Sequence, residues 1–244
     1  MIVLSIDSST ESATCAVLND EKLLGEAVLN NKKQHSVVLM PMVDSLLNSL
    51  QLTISDIDGF VVCKGPGSFT GLRIGMSMIK GLSQGSSKPF VSISSLDALA
   101  YNMAYTSGII CPILDALRDN VYTALYRFEN SNLVRLSDYM ALHIDELIAV
   151  LKEYNEPVSI LGDAADKFKE KLTENISSIY FAPRFLNIVR ASSLGELGYR
   201  MLSEGVYDDL YASSPIYLRK SQAEREYDKK MGLDKNAWYG SYSF

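Results

Sequence analysis

The stretch at residues 64–75 carries the residue types best suited to chemistry. An apolar run at 59–63 predicts a buried strand, because β-branched and aromatic residues are typical of strands. The glycine–proline–glycine sequence at 65–67 predicts a turn, since proline fixes φ and glycine adopts backbone angles closed to other residues. Ser68 or Thr70 then suits the N-cap of a helix, because a hydroxyl there accepts a hydrogen bond from a first-turn amide.

A strand, a glycine turn and a helix start are together typical of phosphate binding. The known phosphate loops do not match this sequence, however. A P-loop has lysine and then serine or threonine after its last glycine, whereas Leu72 and Arg73 follow Gly71. The dinucleotide fingerprint has two residues between its last two glycines, and three separate Gly67 from Gly71. Ser68 also lacks the flanking glycines of a nucleophile elbow.

Hydrolytic chemistry needs a serine or cysteine nucleophile with a base beside it. The two histidines, His35 and His143, make such a pair possible, but nothing in the sequence places either next to a nucleophile. The cysteines lie in apolar strand-like runs, which indicates small core residues in a reducing compartment. Cys63 has a cationic neighbour in Lys64, yet strand alternation points the two side chains apart. A peptidase is therefore only a minor alternative.

Composition and charge limit the classes of protein to consider. At 244 residues, 47% hydrophobic and 21% charged, the chain can bury a core and is typical of a soluble globular protein. No apolar run approaches the ~18 residues of a membrane span, and the first residues lack the basic segment of a signal peptide, so we expect a cytoplasmic protein without membrane contact. A net charge of −6 argues against this chain alone gripping a nucleic-acid backbone.

Hydrophobic periodicity predicts a regular order of elements in the first half of the chain. The predicted strands lie at 2–7, 13–18, 22–29, 59–63 and 89–94, and the predicted helices at 36–51, 69–84 and 95–105. Pro41 interrupts the first helix, which therefore either begins near Met40 or is kinked there. The first three strands form a β-meander, and the first of them ends in Asp7.

The second half of the chain repeats this order. Asp115 ends an apolar strand at 110–115, as Asp7 ends the first strand. Ala124 follows Asp115 at the same interval at which Ala16 follows Asp7. Further strands are predicted at 121–128, 159–161 and 178–181, and further helices at 144–154, 164–172 and 191–203. We therefore predict an internal duplication.

Two successive βββαβαβα units are the order of the actin-like fold. This α/β, ribonuclease-H-like (ASKHA) architecture has two lobes and holds a nucleotide in the cleft between them. The predicted division is an N-terminal lobe at 1–106, a second, degenerate lobe at 107–219 and a charged tail at 220–244. The last helix of the second lobe could pack back on the first.

The residues at 65–75, Gly-Pro-Gly-Ser-Phe-Thr-Gly-Leu-Arg-Ile-Gly, strongly resemble the signature of the TsaB (YeaZ) family. The segment at 215–219 and Ala223-Glu224 after it also look like the C-terminal segment of that family. These are bacterial proteins needed to make threonylcarbamoyladenosine in tRNA, at the adenosine beside the anticodon. The resemblance implies a partner subunit that supports the catalytic subunit TsaD together with the ATPase TsaE, and that contacts tRNA only through the complex.

The resemblance also implies the loss of catalysis. Catalytic relatives carry two metal-binding histidines one turn apart on the first helix, whereas here His35 is followed one turn later by Leu39. We therefore expect no enzyme activity and no metal.

The turn after the first predicted strand is the candidate site for nucleotide binding. Asp7, Ser8 and Ser9 partly fit the turn that approaches phosphate in active actin-like proteins, and they are weak candidates for a cofactor site. The second lobe lacks a glycine-rich adenosine loop, since the nearest sequence, 193–198, suits helix packing better. We expect no cofactor and no ATP, with Asp7 instead satisfying backbone amides of its turn. The main alternative is an ATP-binding actin-like kinase that acts on a small molecule.

The expected docking surface lies on the first two helices, which TsaB-like proteins use to pair with TsaD and to form a homodimer when alone. Gly71 and Gly75 lie one turn apart, which favours close approach of another helix. Part of each helix is expected to face the sheet, leaving Phe69 and Arg73 for a partner. The predicted partner-binding residues are His35, Leu39, Met40, Val43, Leu47, Phe69, Thr70, Leu72, Arg73, Gly75, Met76 and Ile79.

Overall fold

The computed structural model describes residues 1–31, 34–219, 227 and 230–231. The predicted charged tail at 220–244, with Ala223 and Glu224, lies almost entirely outside the described residues. Within the described part of the chain, every helix is too short or too polar to cross a lipid bilayer.

The first lobe is built around a five-stranded sheet in the order β3-β2-β1-β4-β5. The meander of the first three strands is antiparallel, and β1, β4 and β5 are parallel. Its elements are β1 (Val3–Asp7), β2 (Ala13–Leu18), β3 (Leu23–Leu29), α1 (His35–Ser49), β4 (Gly59–Gly65), α2 (Phe69–Ser86), β5 (Phe90–Ser94) and α3 (Ser95–Tyr101). Helix α1 begins at His35 and continues through Pro41, so the alternative start near Met40 is wrong.

The second lobe has the same sheet order, β10-β7-β6-β11-β12. Its elements are β6 (Ile109–Asp115), β7 (Asn120–Thr123), β8 (Tyr126–Glu129), β9 (Asn132–Arg135), β10 (Met140–His143), α4 (Ile144–Lys152), β11 (Val158–Leu161), α5 (Ala165–Asn175), β12 (Ile179–Phe181) and α6 (Ala191–Ser203). Because strands at equivalent places in the two sheets occur in the same chain order, the predicted duplication is confirmed.

The second unit differs from the first at residues 121–128, where two short strands replace the single strand predicted. The chain leaves β7 after Thr123, and Tyr126 then pairs with Ile110 on a different part of β6. The result is an extra hairpin, β8–β9, whose turn at Asn130 and Ser131 has positive φ at both residues. The prediction of one strand was wrong because an apolar run does not show which part of a neighbouring strand it pairs with.

The helices cover the first sheet on both faces. Helices α1 and α2 pack on one face, where Leu39, Val43 and Ile79 join one apolar cluster. Helices α3 and α6 pack on the other face, in a cluster that continues into the second lobe. Two glycines allow the close approach of α6, since a Cβ on Gly195 would lie 2.2 Å from Leu18 Cδ1 and a Cβ on Gly198 2.4 Å from Val61 Cγ2. The last helix of the second unit thus lies on the first sheet.

Candidate functional site

The glycine turn follows the end of β4 and leads directly into α2. Gly65 has φ of 93°, a left-handed conformation that favours glycine, and the peptide bond between Gly65 and Pro66 is cis. Ser68 is the N-cap, and its Oγ accepts a hydrogen bond from the Gly71 amide at 3.2 Å. Of the two cap candidates, Ser68 is therefore the one that is used.

The three glycines after Pro66 face the turn between β1 and β2. A Cβ on Gly67 would lie 2.2 Å from the Ser9 carbonyl oxygen, and a Cβ on Gly71 would lie 1.9 Å from that of Ser8. A Cβ on Gly75 would lie 2.5 Å from Ser8 Oγ. These glycines let α2 approach the chain's own turn. Gly75 is therefore not available to a partner helix, contrary to the prediction.

Hydrogen bonds fasten the β1–β2 turn to the start of α2. The Ser68 amide donates to the Ser9 carbonyl oxygen at 2.6 Å. The Ser8 hydroxyl donates to the Gly71 carbonyl oxygen at 2.8 Å. Because the turn uses these groups within the protein, they are not directed at a phosphate.

Asp7 lies fully buried at the start of this turn. Its Oδ1 accepts a hydrogen bond from the Ser9 amide at 3.0 Å, as expected for a turn-stabilising carboxylate, while its Oδ2 accepts none from the described residues. Burial raises the pKa of Asp7 to about 6, although the nearby Ser9 and Cys63 side chains oppose this rise. In the described structure the Asp7 carboxylate thus serves its own turn.

A cleft of about 1010 Å³ lies between the lobes, where the turns of both units converge. Among the charged side chains on its walls, the acidic ones outnumber the basic ones, and Asp163 Oδ1 accepts a hydrogen bond from the Asp115 amide at 2.8 Å. The acidic residues that line it are Glu11, Asp115, Asp163 and Asp166, and the basic ones are Arg184 and Arg219. Within the described residues, no group of three or more His, Cys, Asp and Glu side chains could hold a metal ion.

The second lobe also has a turn that the sequence interpretation missed. Gly162 follows β11 with φ of 113°, as Gly65 ends β4, and it lines the cleft. The segment 193–198 lies within α6 and packs on the first sheet, as the prediction of helix packing for it expected. The duplication was the signal that could have located Gly162, because it places a turn after the strand equivalent to β4.

The segment at 208–219, which we call the strap, runs from the first lobe to the second and borders the cleft. The Ile216 amide donates to the Lys64 carbonyl oxygen at 2.7 Å, beside the glycine turn. At the far end of the strap, the Arg219 guanidinium donates to the Ala116 carbonyl oxygen in the turn after β6. The strap therefore connects the two lobes at the mouth of the cleft.

Tyr217 of the strap covers the first turn of α2. Its ring lies 4.5 Å from the Phe69 ring, and its hydroxyl accepts a hydrogen bond from Arg73 Nε at 3.2 Å. The Arg73 guanidinium carbon lies 4.0 Å from the centre of the Phe69 ring, a cation–π contact. Phe69 and Arg73, which were predicted to contact a partner protein, thus contact Tyr217 of the same chain.

The apolar stripes of α1 and α2 are covered by the protein's own core. Of the predicted docking residues, those that are buried are Leu39, Val43, Leu47, Leu72, Gly75, Met76 and Ile79. Leu72, Met76 and Ile79 face the sheet, as the sequence interpretation allowed. The assignment of the buried residues to a docking surface is corrected, because a helix on a sheet buries its apolar side there.

The remaining predicted docking residues are at least partly accessible. Met40, Thr70 and Arg73 are exposed, and Phe69 is half-buried under Tyr217. His35 is half-buried, with Nε2 at 3.1 Å from the Ser12 carbonyl oxygen.

The groups that hydrolysis would need are held apart. His143 caps α4, where its Nδ1 accepts a hydrogen bond from the Asp145 amide at 3.3 Å. All three cysteines are buried, and burial raises the pKa of Cys63 and Cys111, which disfavours the reactive thiolate.

Comparisons with known proteins agree with the signature. Residues 22–227 match the family model described as "TsaD: tRNA N6-adenosine threonylcarbamoyltransferase". A Bacillus subtilis protein described as "tRNA threonylcarbamoyladenosine biosynthesis protein TsaB" is 34% identical over 228 residues, covering 93% of this chain and 98% of the relative. The chain belongs to the TsaB family. The predicted family and the predicted role in tRNA threonylcarbamoyladenosine biosynthesis are confirmed.

Solved structures show that this TsaB-family chain has the actin-like fold. YeaZ from Pseudomonas aeruginosa superposes with a TM-score of 0.76 at 23% identity, over 89% of this chain and 99% of that one. Component A of (R)-2-hydroxyglutaryl-CoA dehydratase from Acidaminococcus fermentans gives a TM-score of 0.51 at 10% identity, over 83% and 99% of the two chains. The fold class predicted from the order of elements is confirmed.

Proposed function

We propose that this TsaB-family chain is a non-catalytic subunit that pairs with a TsaD-like catalytic subunit through the exposed face of α1 and α2. Family membership supplies the process, tRNA threonylcarbamoyladenosine biosynthesis. In the proposed assembly a TsaE-like ATPase joins the pair, and tRNA is bound through the complex because this chain carries a net charge of −6. In the absence of TsaD the same face joins two copies as a homodimer.

Two open glycines on α2 carry the proposal. Gly81 and Gly85 are exposed, lie one turn apart, and have no atom within 4 Å of a Cβ built on them. A glycine inside a helix costs about 1 kcal/mol relative to alanine, and here no contact in the described chain requires one. Ser77, also exposed, lies one turn before Gly81. This flat stripe lets a second helix approach closely, a role that the sequence interpretation had given to Gly71 and Gly75.

Exposed apolar side chains on α1 are a further feature that favours a protein interface on the first two helices. Val37 is 64% exposed and Met40 45% exposed, and both lie on the helix beside α2. Methionine adapts its shape to a partner surface.

The residues present support a non-catalytic role. Leu39, which takes the place of the second histidine of catalytic relatives, is 1% exposed and packs in the core, so it cannot hold a metal. The turn at Asp7 is fastened to α2, and the charged side chains that line the cleft are more often acidic than basic. Both observations favour a subunit without a cofactor and without ATP.

The test is a Gly81→Leu variant, with Glu170→Leu on exposed α5 as the matched control. We expect Gly81→Leu to remain folded by circular dichroism but to lose co-purification with TsaD, because its side chain fills the helix contact. We expect it also to fail to restore threonylcarbamoyladenosine, measured by mass spectrometry of tRNA nucleosides, in bacteria depleted of their own TsaB. Full pairing by Gly81→Leu would refute the surface.

A second candidate function is an ATP-binding actin-like kinase that acts on a small molecule, because the cleft of about 1010 Å³ could hold a nucleotide. Calorimetry with ATP and magnesium on the isolated protein distinguishes the two functions. Micromolar binding that Asp7→Ala abolishes would favour the kinase, and we expect no such binding.

A further inference from the structure

The hairpin β8–β9 is the part of the second lobe that has no counterpart in the first. In the first lobe a tight turn joins β2 to β3, whereas β8 and β9 are inserted between their equivalents, β7 and β10. An insertion into one of two duplicated units points to a role that the other unit does not need.

The insertion brings two tyrosine hydroxyls to a carboxylate of the other lobe. Asp97 lies on α3 of the first lobe, where its Oδ1 accepts a hydrogen bond from the Tyr126 hydroxyl at 2.7 Å. Its Oδ2 accepts a second hydrogen bond from the Tyr139 hydroxyl at 2.8 Å. Tyr126 opens β8, and Tyr139 lies directly before β10. Hydrogen bonds to a charged acceptor are stronger than those between neutral groups, and two of them fix its orientation.

The surroundings hold this cluster in place. Tyr126 is 1% exposed and belongs to the apolar cluster that the two lobes share, together with Leu96 and Ala98. Arg135 pairs with Tyr126 across the hairpin, and its guanidinium carbon lies 4.2 Å from the centre of the Tyr139 ring. The cluster thus joins a packed core to a polar contact that can form only at one relative position of the lobes.

We propose that Asp97, Tyr126 and Tyr139 form a lock that holds the two lobes at one fixed orientation, so that the cleft neither opens nor closes. The lock lies in the core that the lobes share, whereas the strap connects them at the cleft mouth. This inference is independent of the proposed function, since a locked chain could be a scaffold or an inactive enzyme.

The test measures the distance between the lobes directly. Spin labels are attached to cysteines introduced at Asn48 on α1 and Glu170 on α5, both exposed, while the native cysteines are buried and stay unlabelled. We expect one narrow distance distribution, unchanged by ATP and magnesium. Tyr139→Phe, which removes only a hydroxyl, should broaden it, as should Asp97→Asn. Tyr180→Phe, at a tyrosine 61% exposed on β12, is the control and should leave it narrow.

Hydrogen–deuterium exchange gives a second readout of the same lock. We expect amides of α3 and β8–β9 to exchange about tenfold faster in Tyr139→Phe, in proportion to the loss of one hydrogen bond to a carboxylate. A wild-type distribution that is already broad would overturn the proposal. So would folded Tyr139→Phe with the wild-type width and exchange rates, and that variant decides the matter if Asp97→Asn does not fold.

Discussion

At the scale of single residues, the glycines of α2 and of the turn before it divide into two groups that look alike in the sequence. Gly67, Gly71 and Gly75 are needed inside the protein, because any side chain there would meet Ser8 or Ser9. Gly81, on the same helix, has open space around it. A glycine can therefore mark a close internal approach or an exposed flat face, and only the structure distinguishes the two.

We predict opposite effects on stability for alanine at two glycines of α2. Gly71→Ala should lower the free energy of unfolding by about 3 kcal/mol, since its Cβ would lie 1.9 Å from a backbone oxygen that cannot move freely. Gly81→Ala should raise it by about 1 kcal/mol, because alanine favours the helix and nothing lies within 4 Å. Urea denaturation of both variants measures the difference, and equal destabilisation would contradict the assignment.

The buried carboxyl of Asp7 makes stability depend on pH. Because its pKa rises from 3.8 to about 6 on folding, protonation stabilises the fold fully below pH 4, and this contribution is lost as the pH rises through 6. Asp7→Asn removes the charge, so we expect it to stabilise the protein by about 3 kcal/mol at pH 7.5 and scarcely at pH 4.

Urea denaturation of Asp7→Asn at the two pH values checks this prediction. Asp44→Asn, at an exposed carboxylate of α1, serves as the control and should show little effect at either pH. Equal effects of Asp7→Asn at pH 7.5 and pH 4 would be inconsistent with a buried carboxyl that ionises near pH 6.

At the scale of elements, periodicity predicted most strands and helices, because alternation and helical spacing are local properties. What it did not predict is which neighbour each element meets. Leu39 and Met40 are adjacent apolar residues of one helix, yet the first is 1% and the second 45% exposed. Assigning both to a docking surface failed for Leu39 because the side on which the sheet lies depends on the whole fold. The strap was missed for the same reason, since its contacts are distant in the sequence.

The strap should depend on the ring of Tyr217. Tyr217→Ala removes the contact with Phe69 and the acceptor for Arg73, so we expect proteases to cleave within 208–219 about tenfold faster. Tyr211→Ala, at a ring 84% exposed, is the matched control and should leave the cleavage rate unchanged. Limited proteolysis with mapping of the cut sites by mass spectrometry provides the measurement. Unchanged cleavage of Tyr217→Ala would show that backbone hydrogen bonds alone hold the strap.

At the scale of the whole molecule, two copies of one architecture have diverged in different ways. The first unit has its β1–β2 turn fastened to α2, and the second has gained the β8–β9 hairpin. The duplication could be predicted from the repeated strand and aspartate pattern. The charge of the cleft could not be predicted, because its walls combine residues from both units and the directions of their side chains depend on how the lobes meet.

The position of α6 has a consequence for how the protein is made. This helix occupies 191–203, yet it covers a face of the sheet that 3–94 form. The ribosome synthesises the N-terminal part first. Val61 and its apolar neighbours on that face therefore remain exposed until α6, near the end of the described chain, has been synthesised. Nascent chains halted before α6 should accordingly be held by chaperones, and a single polypeptide whose first sheet is covered only when α6 is made cannot be divided into two independently folding halves.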